Sequence, residues 1–326
     1  MYDLVTIGSA VKDIFLLTDR GKIFKTPKDK LAPEWLGFEL GEKICVSEEY
    51  ECLGGVAASV AIGTTKLNLK TGIVSTLVAN YDWIAGELKK HKIDTKYLAK
   101  HHPQLLSLSV IIVDKYTSER VILYNQSSGK IDIDLLKMPK AEYYCVSSLT
   151  GKWAKNVLKL VDFLKKNKAK LIVLPSTNQI RESFSDLKKL LGTAEILILN
   201  RNEAFEIASH LKIKNFDLKN LFQVLHNLGP KTICVTDGVK GAWASNGKKI
   251  LHSSIMKVKA VDSTGAGDAF ASGFLGFYLQ GATLETSLKT GIVNSASVVK
   301  YVGTTKGLLT KKEIIRKTKR NLIYYG

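Results

Sequence analysis

The chain has 326 residues, 45% of them hydrophobic, which is enough for a large buried core, and no run of about 20 apolar residues that could span a membrane. Its formal charge is +18, but the lysines are scattered and only residues 311–320 form a dense basic block, so we interpret the charge as a solvated surface and do not expect a nucleic-acid partner. A first segment typical of a strand rather than a secretory signal, and four cysteines without a Cys-x-x-Cys pair, favour a reducing, cytoplasmic setting.

The first predicted element is a short apolar strand at residues 3–8 that ends in glycine, a pattern typical of a central parallel strand. Asp13 follows at the carboxyl end of this strand, where open α/β sheets bind ligands. Residues 14–50 mix short strand-like pieces with glycine, proline and charge and show no helical period. A second hairpin is predicted within residues 106–128. Both segments indicate a small β layer inserted between core elements.

A pair of glycines stands where a strand meets a helix of small residues. Gly54 and Gly55 leave the backbone amides at this junction open to a substrate. The following residues, 56–61, are small or apolar and include Ser59. The pattern predicts a helix that begins beside a ligand site.

Strand-like and helix-like segments alternate between residues 66 and 174. Strands are predicted at residues 70–75, 143–147 and 170–174, and helices at residues 81–90 and 152–166. Such alternation favours an α/β fold, with a doubly wound, mostly parallel central sheet flanked by helices. We expect residues 1–326 to form a single domain, because α/β folds often reach this length as one unit.

Asn200 and Glu203 follow a predicted strand at residues 194–199 and stand at the start of a helix. Their spacing of three is typical of a capping box, in which each side chain binds the other residue's backbone amide. The same spacing also places both side chains on the first helical turn, where they could serve a ligand. The residues alone leave both interpretations open.

Two glycine-containing turns follow. The first is at residues 236–241, with Thr236, Gly238 and Gly241, and lies between two predicted strands. The residues alone are typical of a plain hairpin. Residues 262–268 read Asp-Ser-Thr-Gly-Ala-Gly-Asp, after a strand-like apolar run at 254–261 and before a small-residue helix. Free amides at that helix start can bind a phosphoryl group, and Asp268 beside them suits a general base. The alternative is a glycine-rich turn in which Asp268 only caps the helix.

Together these motifs resemble the ribokinase-like (PfkB-type) carbohydrate and nucleoside kinase family. The resemblance covers essentially the whole chain, because five elements occur in the family's order. The family's second signature reads Asp-Thr-x-Gly-Ala-Gly-Asp, so Ser263 departs from it. Its first signature reads Gly-Gly-x-x-x-Asn-x-Ala, and here Ser59 replaces the asparagine.

The resemblance implies a site for each part of the reaction. The catalytic residues would be Asp268, as general base, and the anion hole formed by Gly265, Ala266 and Gly267. The acceptor would be bound by Asp13, Gly54, Gly55 and Ser59. ATP would be bound by Asn200, Glu203, Thr236, Gly238, Gly241 and Asn294. Mg²⁺ would be held by Glu203 through water. A K⁺ site would use Asp262, Thr264, Val298 and Gly303.

The implied function is ATP-dependent transfer of the γ-phosphoryl group to a hydroxyl of a sugar or nucleoside. Lid strands at about 14–50 and 106–128 would cover the acceptor and could pair in a homodimer. Val11 and Ser59 stand where ribokinases have polar groups, so we expect a nucleoside rather than a free sugar; a phosphorylated sugar would need a basic lid residue such as Lys12, Lys43 or Arg120. The alternative is a non-catalytic relative that binds a ligand or nucleic acid. A Rossmann-type oxidoreductase is excluded, because no Gly-x-Gly-x-x-Gly follows the first strand.

Overall fold

The computed structural model describes residues 1–26, 34–77, 81–100, 108–117, 119–124, 138–147, 149, 153–213 and 217–320. The elements of these residues follow in chain order: β1 (Tyr2–Ile7), β2 (Val11–Thr18), β3 (Lys22–Lys25), β4 (Glu34–Gly37), β5 (Glu48–Gly54), α1 (Val56–Lys66), β6 (Thr71–Leu77), α2 (Tyr81–Lys90), β7 (Leu98–Lys100), β8 (Leu108–Asp114), β9 (Arg120–Tyr124), β10 (Ala141–Ser147), α3 (Ala154–Lys166), β11 (Lys170–Leu174), α4 (Thr177–Glu182), α5 (Phe184–Leu191), β12 (Ala194–Asn200), α6 (Arg201–His210), α7 (Leu218–Asn227), β13 (Thr232–Thr236), β14 (Ala242–Ser245), β15 (Ile250–Ser253), α8 (Ala266–Tyr278), α9 (Leu284–Val298) and α10 (Lys311–Arg320). The predicted hairpin residues 106, 107 and 125–128 lie outside the described part.

The central sheet has the strand order β15-β14-β13-β12-β11-β10-β1-β6-β7. Strands from β13 to β7 pair in parallel, whereas β14 and β15 form an antiparallel edge. Inner strands are apolar on both sides because helices cover both faces; in β12, residues 196–199 are all buried. This confirms the predicted doubly wound α/β fold.

Helices pack on the two faces of the sheet. α3, α5, α6 and α7 cover one face, and α1, α8 and α9 cover the other. Small residues let the second group approach closely: a Cβ on Gly63 would lie 2.3 Å from Ser272 Oγ, and one on Gly273 would lie 2.7 Å from the Thr290 carbonyl oxygen. This packing fixes the start of α8 beside α1. None of the helices in the described segments is long and apolar enough to cross a membrane.

The predicted β layer, the lid, consists of a sheet of order β5-β2-β8-β9 and a β3–β4 pair. β2 begins at Val11, so Asp13 lies within the lid sheet, which corrects its predicted position at the end of the first strand. Phe15 and Leu17 of β2 are buried in a small core that also contacts Val302. The inner face of the lid is therefore anchored beside the loop that follows α9.

The apolar run at residues 254–261 is not a strand, which corrects the sequence-based prediction. β15 ends at Ser253, and the following backbone pairs with no strand among the described residues. The amides of Val261 and Asp262 instead donate to the carbonyl oxygen of Val299, at 2.8 and 3.3 Å. Contact with the end of α9, rather than a strand, therefore positions the turn at residues 262–268.

Candidate active site

A cavity of about 150 Å³ opens at the carboxyl ends of β11, β12 and β13. Five residues singled out in the sequence line it together: Asn200, Glu203, Thr236, Gly267 and Asp268. They come from three separate connections of the chain, and the parallel sheet unites them because its strands all end at this edge. The cavity therefore combines two carboxylates with the amino-terminal ends of α6 and α8.

The turn at residues 262–268 holds α8 with its first turn open. Gly265 caps the helix with φ 75°, and a Cβ there would lie 2.7 Å from Thr304 Cα, so both its conformation and its surroundings require glycine. A Cβ on Gly267 would meet no atom within 4 Å, because this residue faces the cavity. The Ala266 amide donates to the Ser263 carbonyl at 3.3 Å, a long bond that an anion could replace. Amides and helix dipole together favour a negative charge here.

Asp268 lies in the first turn of α8 and is a strong base for an aspartate. Removal from solvent raises the pKa of its carboxyl to about 7, against the lowering effects of the Arg120 cation and of a hydrogen bond with Ser59. Ser59 Oγ also donates to Thr304 Oγ1 at 3.0 Å, so one hydroxyl hydrogen serves two acceptors. Thr304 in turn donates to the Leu53 carbonyl at 3.0 Å. This network orients Asp268 and occupies Ser59.

Asp13 is 5% exposed and faces the same region from the lid. Burial raises the pKa of its carboxyl to about 7; the negative charges of Asp268 and Asp262 add to this, and a hydrogen bond with Ser109 opposes it. A Cβ on Gly54 would lie 1.7 Å from Asp13 Oδ2, so glycine at position 54 makes room for this carboxylate. Gly55 has φ 92° and caps α1.

Asn200 and Glu203 form a capping box and also line the cavity. The Glu203 amide donates to Asn200 Oδ1, and the Asn200 amide donates to Glu203 Oε2, both at 2.9 Å. Burial raises the pKa of the Glu203 carboxyl to about 7, and the Asp268 charge adds to it. The capping box therefore does not exclude a ligand-binding role, since Glu203 both caps α6 and lines the cavity.

The turn at residues 236–241 joins β13 to β14 as an antiparallel hairpin, with Thr236 opposite Ala242. Gly238 and Gly241 have φ angles of 48° and 88°. The hairpin interpretation therefore holds, and since Thr236 lines the cavity while Gly238 and Gly241 do not, the ligand-binding role of the turn stays a prediction.

Asn294 does not lie at the cavity, which corrects its predicted place in a nucleotide pocket. Its side chain is fully buried, and its Nδ2 donates to the Ala269 carbonyl at 2.9 Å and to Ser272 Oγ at 3.1 Å. Its Oδ1 accepts from the Leu309 amide at 3.0 Å. The side chain joins α9, α8 and the segment before α10, and both of its amide hydrogens are used.

A family model described as pfkB family carbohydrate kinase matches residues 37–311. The chain belongs to this family. It is 26% identical over 317 residues to an ATP-dependent 6-phosphofructokinase of Thermoanaerobacterium thermosaccharolyticum, covering 93% of this chain and 89% of that protein. As a fold, it is similar to the Methanocaldococcus jannaschii nucleoside kinase (TM-score 0.77, 20% identity, 98% and 99% of the two chains) and to a putative ribokinase II from E. coli in complex with ATP and Mg²⁺ (TM-score 0.79, 19% identity, 98% and 100%). The pfkB-type chain is therefore a kinase, that is, a phosphotransferase.

Mg²⁺ fits the acidic side of the kinase cavity. No cluster of three or more His, Cys, Asp or Glu side chains in the described segments could hold a metal by itself. Mg²⁺ usually keeps several waters and binds one or two carboxylates together with phosphate oxygens. The Glu203 carboxylate at the cavity could serve as such a ligand, directly or through water, and a divalent cation would offset the repulsion between Glu203 and Asp268.

Three of the four residues predicted for K⁺ converge in the kinase. Asp262 is fully buried; its Oδ1 accepts from the Thr264 amide at 2.8 Å and its Oδ2 from the Gly303 amide at 3.1 Å. Thr264 Oγ1 is buried without a hydrogen-bond partner, and a cation would satisfy such an oxygen. Val298 is different, because its carbonyl accepts from the Tyr301 amide at 3.0 Å. A monovalent cation is therefore compatible with the oxygens of Asp262 and Thr264, whereas Gly303 reaches Asp262 only through its amide, and the K⁺ site stays a prediction.

Arg120 and Thr304 are site residues whose contacts the sequence did not reveal. In the sequence Arg120 is one of three basic lid residues, whereas in the structure its Nη1 donates to Ser263 Oγ, within the turn at residues 262–268. Thr304 connects Ser59 to Leu53 in a loop without a motif. The signal that could have identified Arg120 is its position at the start of a predicted lid strand, because every second side chain of a strand lies on the same face.

Proposed function

We propose that this kinase transfers the γ-phosphoryl group of ATP to a hydroxyl of a sugar or nucleoside, with Asp268 as the general base. The observation that carries the proposal is the position of Asp268. It combines a pKa of about 7 with a place directly beside the open amides of α8. A base with such a pKa is largely ionised at pH 8 and remains strong enough to accept a hydroxyl proton.

In this mechanism, Asp268 accepts the proton as the acceptor oxygen attacks the γ-phosphorus. The amides of Gly265, Ala266 and Gly267 and the dipole of α8 stabilise the negative charge on the transferred group. Asn200, Glu203, Thr236, Gly238 and Gly241 would hold the nucleotide phosphates, and Mg²⁺, when bound, supplies charge neutralisation between them. Asp13 and the lid would orient the acceptor and exclude water, with Gly54 and Gly55 giving them room.

For the acceptor, we propose a nucleoside rather than a free sugar. Val11 is buried and apolar, and Ser59 is 1% exposed with its hydroxyl hydrogen used by Thr304 and Asp268, so neither offers a polar contact to a pentose. Ile122 and Tyr124 of β9 are 44% and 43% exposed and present an apolar surface suited to a base. The nucleoside kinase of M. jannaschii has the same fold.

The test is an ADP-release assay with ATP, Mg²⁺ and K⁺ against nucleosides, free pentoses and hexoses, and sugar phosphates. Turnover on one class, lost in Asp268→Asn, is the expected result. Measurable ATP binding without turnover on any acceptor would instead favour a non-catalytic relative. Salt-sensitive RNA binding in the same preparation would point to the nucleic-acid alternative. Replacing K⁺ by Na⁺ in the assay tests the cation at Asp262, Thr264 and Gly303.

Two features of organisation belong to the same proposal. We expect one domain over residues 1–326, with the lid strands contributed by the segments at about 14–50 and 106–128. We also expect pairing of two lids in a homodimer, because Ile23, Phe24 and Trp35 of the β3–β4 pair are 37%, 55% and 56% exposed. Sedimentation equilibrium of the wild type and of Phe24→Lys checks this. A dimeric wild type that dissociates in the variant is expected, and a wholly monomeric wild type would exclude the dimer.

A further inference from the structure

The inner face of β9 points at the catalytic region. Tyr124 pairs with Ser109 of β8, and Ser109 pairs with Asp13 of β2. Directly paired residues place their side chains on the same face of a sheet, and every second residue of a strand shares that face. Arg120, Ile122 and Tyr124 therefore face the same side as Asp13.

β9 also contacts two segments that adjoin the cavity. At one end, Arg120 Nη1 donates to Ser263 Oγ in the turn that precedes α8. At the other end, Asn178 Nδ2 of α4 donates to Tyr124 Oη. Arg120 and Ser263 are 143 residues apart, so their contact depends on the position of the lid. In this arrangement, the lid brings a cation to the anion-binding turn.

The Arg120 guanidinium is incompletely satisfied. Its Nε is buried and has no hydrogen-bond partner. Within the described segments, no acidic side chain lies within 4.0 Å ion-pair distance of it. A buried donor without a partner destabilises the folded state, and more so when the group is charged, so a structure retains one mainly where a ligand will pair with it.

The charges around Arg120 indicate what that ligand is. Asp13, Glu203 and Asp268 surround the reaction site, and the negative charge of Asp268 adds to the raised pKa of both Asp13 and Glu203. Without a cation, this group of carboxylates would repel a phosphoryl group. Arg120 acts in the opposite direction on Asp268. A planar guanidinium with a free Nε–H matches the oxygens of a phosphoryl group.

We propose that Arg120 is a catalytic residue carried by the lid, and that its guanidinium binds an oxygen of a phosphoryl group at the reaction site. The proposal rests on the kinase function proposed above. In the step, the acceptor oxygen bonds to the γ-phosphorus, the bond from phosphorus to the bridging oxygen of ADP breaks, and Asp268 takes the hydroxyl proton. Arg120 stays protonated throughout and only donates hydrogen bonds. Transfer is thereby restricted to the closed lid, which limits loss of the phosphoryl group to water.

The phosphoryl oxygen has two sources: the group in transfer, or a phosphate already on the acceptor. The test compares Arg120→Met and Arg120→Lys with the wild type on neutral and phosphorylated acceptors. A contact with the group in transfer lowers kcat of Arg120→Met by about 10²–10³, with little change in the acceptor KM, on every acceptor. A contact with an acceptor phosphate raises KM for phosphorylated acceptors only. In either case, Arg120→Lys recovers part of the loss because it keeps the charge.

Lys115→Met is the matched control. Lys115 is also a lid cation, but it pairs with Glu48 at 3.0 Å on an exposed face, so its removal should leave both kinetic constants unchanged. A pH profile adds a reading that a purely structural role would not move. Arg120 lowers the pKa of Asp268, so its removal should raise that pKa while Ser59, Asp13 and Glu203 still face Asp268. The acid limb of the kcat/KM profile should therefore shift to higher pH. Kinetic constants of Arg120→Met within about threefold of the wild type on both acceptor classes would overturn the proposal.

A binding measurement separates this proposal from the proposed function. ADP with aluminium fluoride and Mg²⁺ mimics the group in transfer, and its affinity is measured by calorimetry without turnover. Weaker binding by Arg120→Met, but not by Lys115→Met, supports the contact even if no acceptor is found. A wild type inactive on every acceptor whose Arg120→Met variant binds this mimic as tightly would overturn both. An active wild type with the same result, and unchanged kinetics in Arg120→Met, would overturn only the role of Arg120.

Discussion

Replacing Asp268 by Asn should make the protein more stable at pH 8 while it removes activity. Burial raises the pKa of the Asp268 carboxyl from 3.8 to about 7. The folded state therefore holds this proton more tightly than the unfolded chain. The stability that the protonated group contributes is present below about pH 4 and is lost as the pH rises to about 7. At pH 8, the folded protein carries an ionised carboxylate that it would stabilise better as a neutral group.

The size of the effect follows from the shift. Three pKa units at about 1.4 kcal/mol each give a cost of about 4 kcal/mol at pH 8, and less than about 2 kcal/mol at pH 5. Asn keeps the shape of the side chain without the charge, and Ser59, Arg120, Asp13 and Glu203 remain around it. The free energy of unfolding of Asp268→Asn should therefore exceed that of the wild type by up to these amounts.

Urea unfolding without nucleotide, at pH 5 and pH 8, measures the difference. The control is Asp186→Asn, since the ion pair of Asp186 with Lys189 lowers the pKa of its carboxyl. That variant should lose stability slightly at pH 8, by under about 1 kcal/mol. An Asp268→Asn variant no more stable than the wild type at pH 8 would refute the argument that Asp268 is a destabilised, functional carboxylate.

Three further predictions follow from the same contacts. The ratio kcat/KM should fall about tenfold per pH unit below about pH 7, because the Asp268 base becomes protonated; a profile flat down to pH 5 would contradict this. Gly54→Ala should displace Asp13 and raise the acceptor KM at least tenfold, since its Cβ would lie 1.7 Å from Asp13 Oδ2. Gly86→Ala, where a Cβ meets nothing within 4 Å, should leave KM unchanged. Asn294→Ala should lower the free energy of unfolding by about 2–3 kcal/mol in thermal or urea unfolding yet keep the KM for ATP, because the Asn294 hydrogen bonds join helices. A raised KM for ATP without lost stability would contradict this packing role of Asn294.

The sequence was sufficient for the fold and for the local motifs. Parallel strands buried on both faces leave continuous apolar runs, and glycines with positive φ, such as Gly265 and Gly241, leave recognisable turns. Asn200 and Glu203 show the limit of a local pattern, because the same two residues, three apart, form a capping box and line the cavity. A local pattern could not separate these interpretations, and the structure contains both.

What the sequence did not reveal depends on distant contacts. Asn294 lies on a helix of small residues, where only the packing of α8 on α9 decides which face is buried. The run at residues 254–261 looks like a strand, but Val299 accepts its last hydrogen bonds. The contact of Arg120 with Ser263 requires the lid to fold over the body, which no local spacing encodes.

The central claim, that Asp268 is the base of a phosphoryl transfer, is tested most directly by the turnover of Asp268→Asn at saturating ATP and acceptor. The variant keeps the shape of the site and the amides of the anion-binding turn but cannot accept the proton. We predict a kcat lower by about 10²–10⁴, with ATP affinity retained. A kcat within about twofold of the wild type would contradict the account.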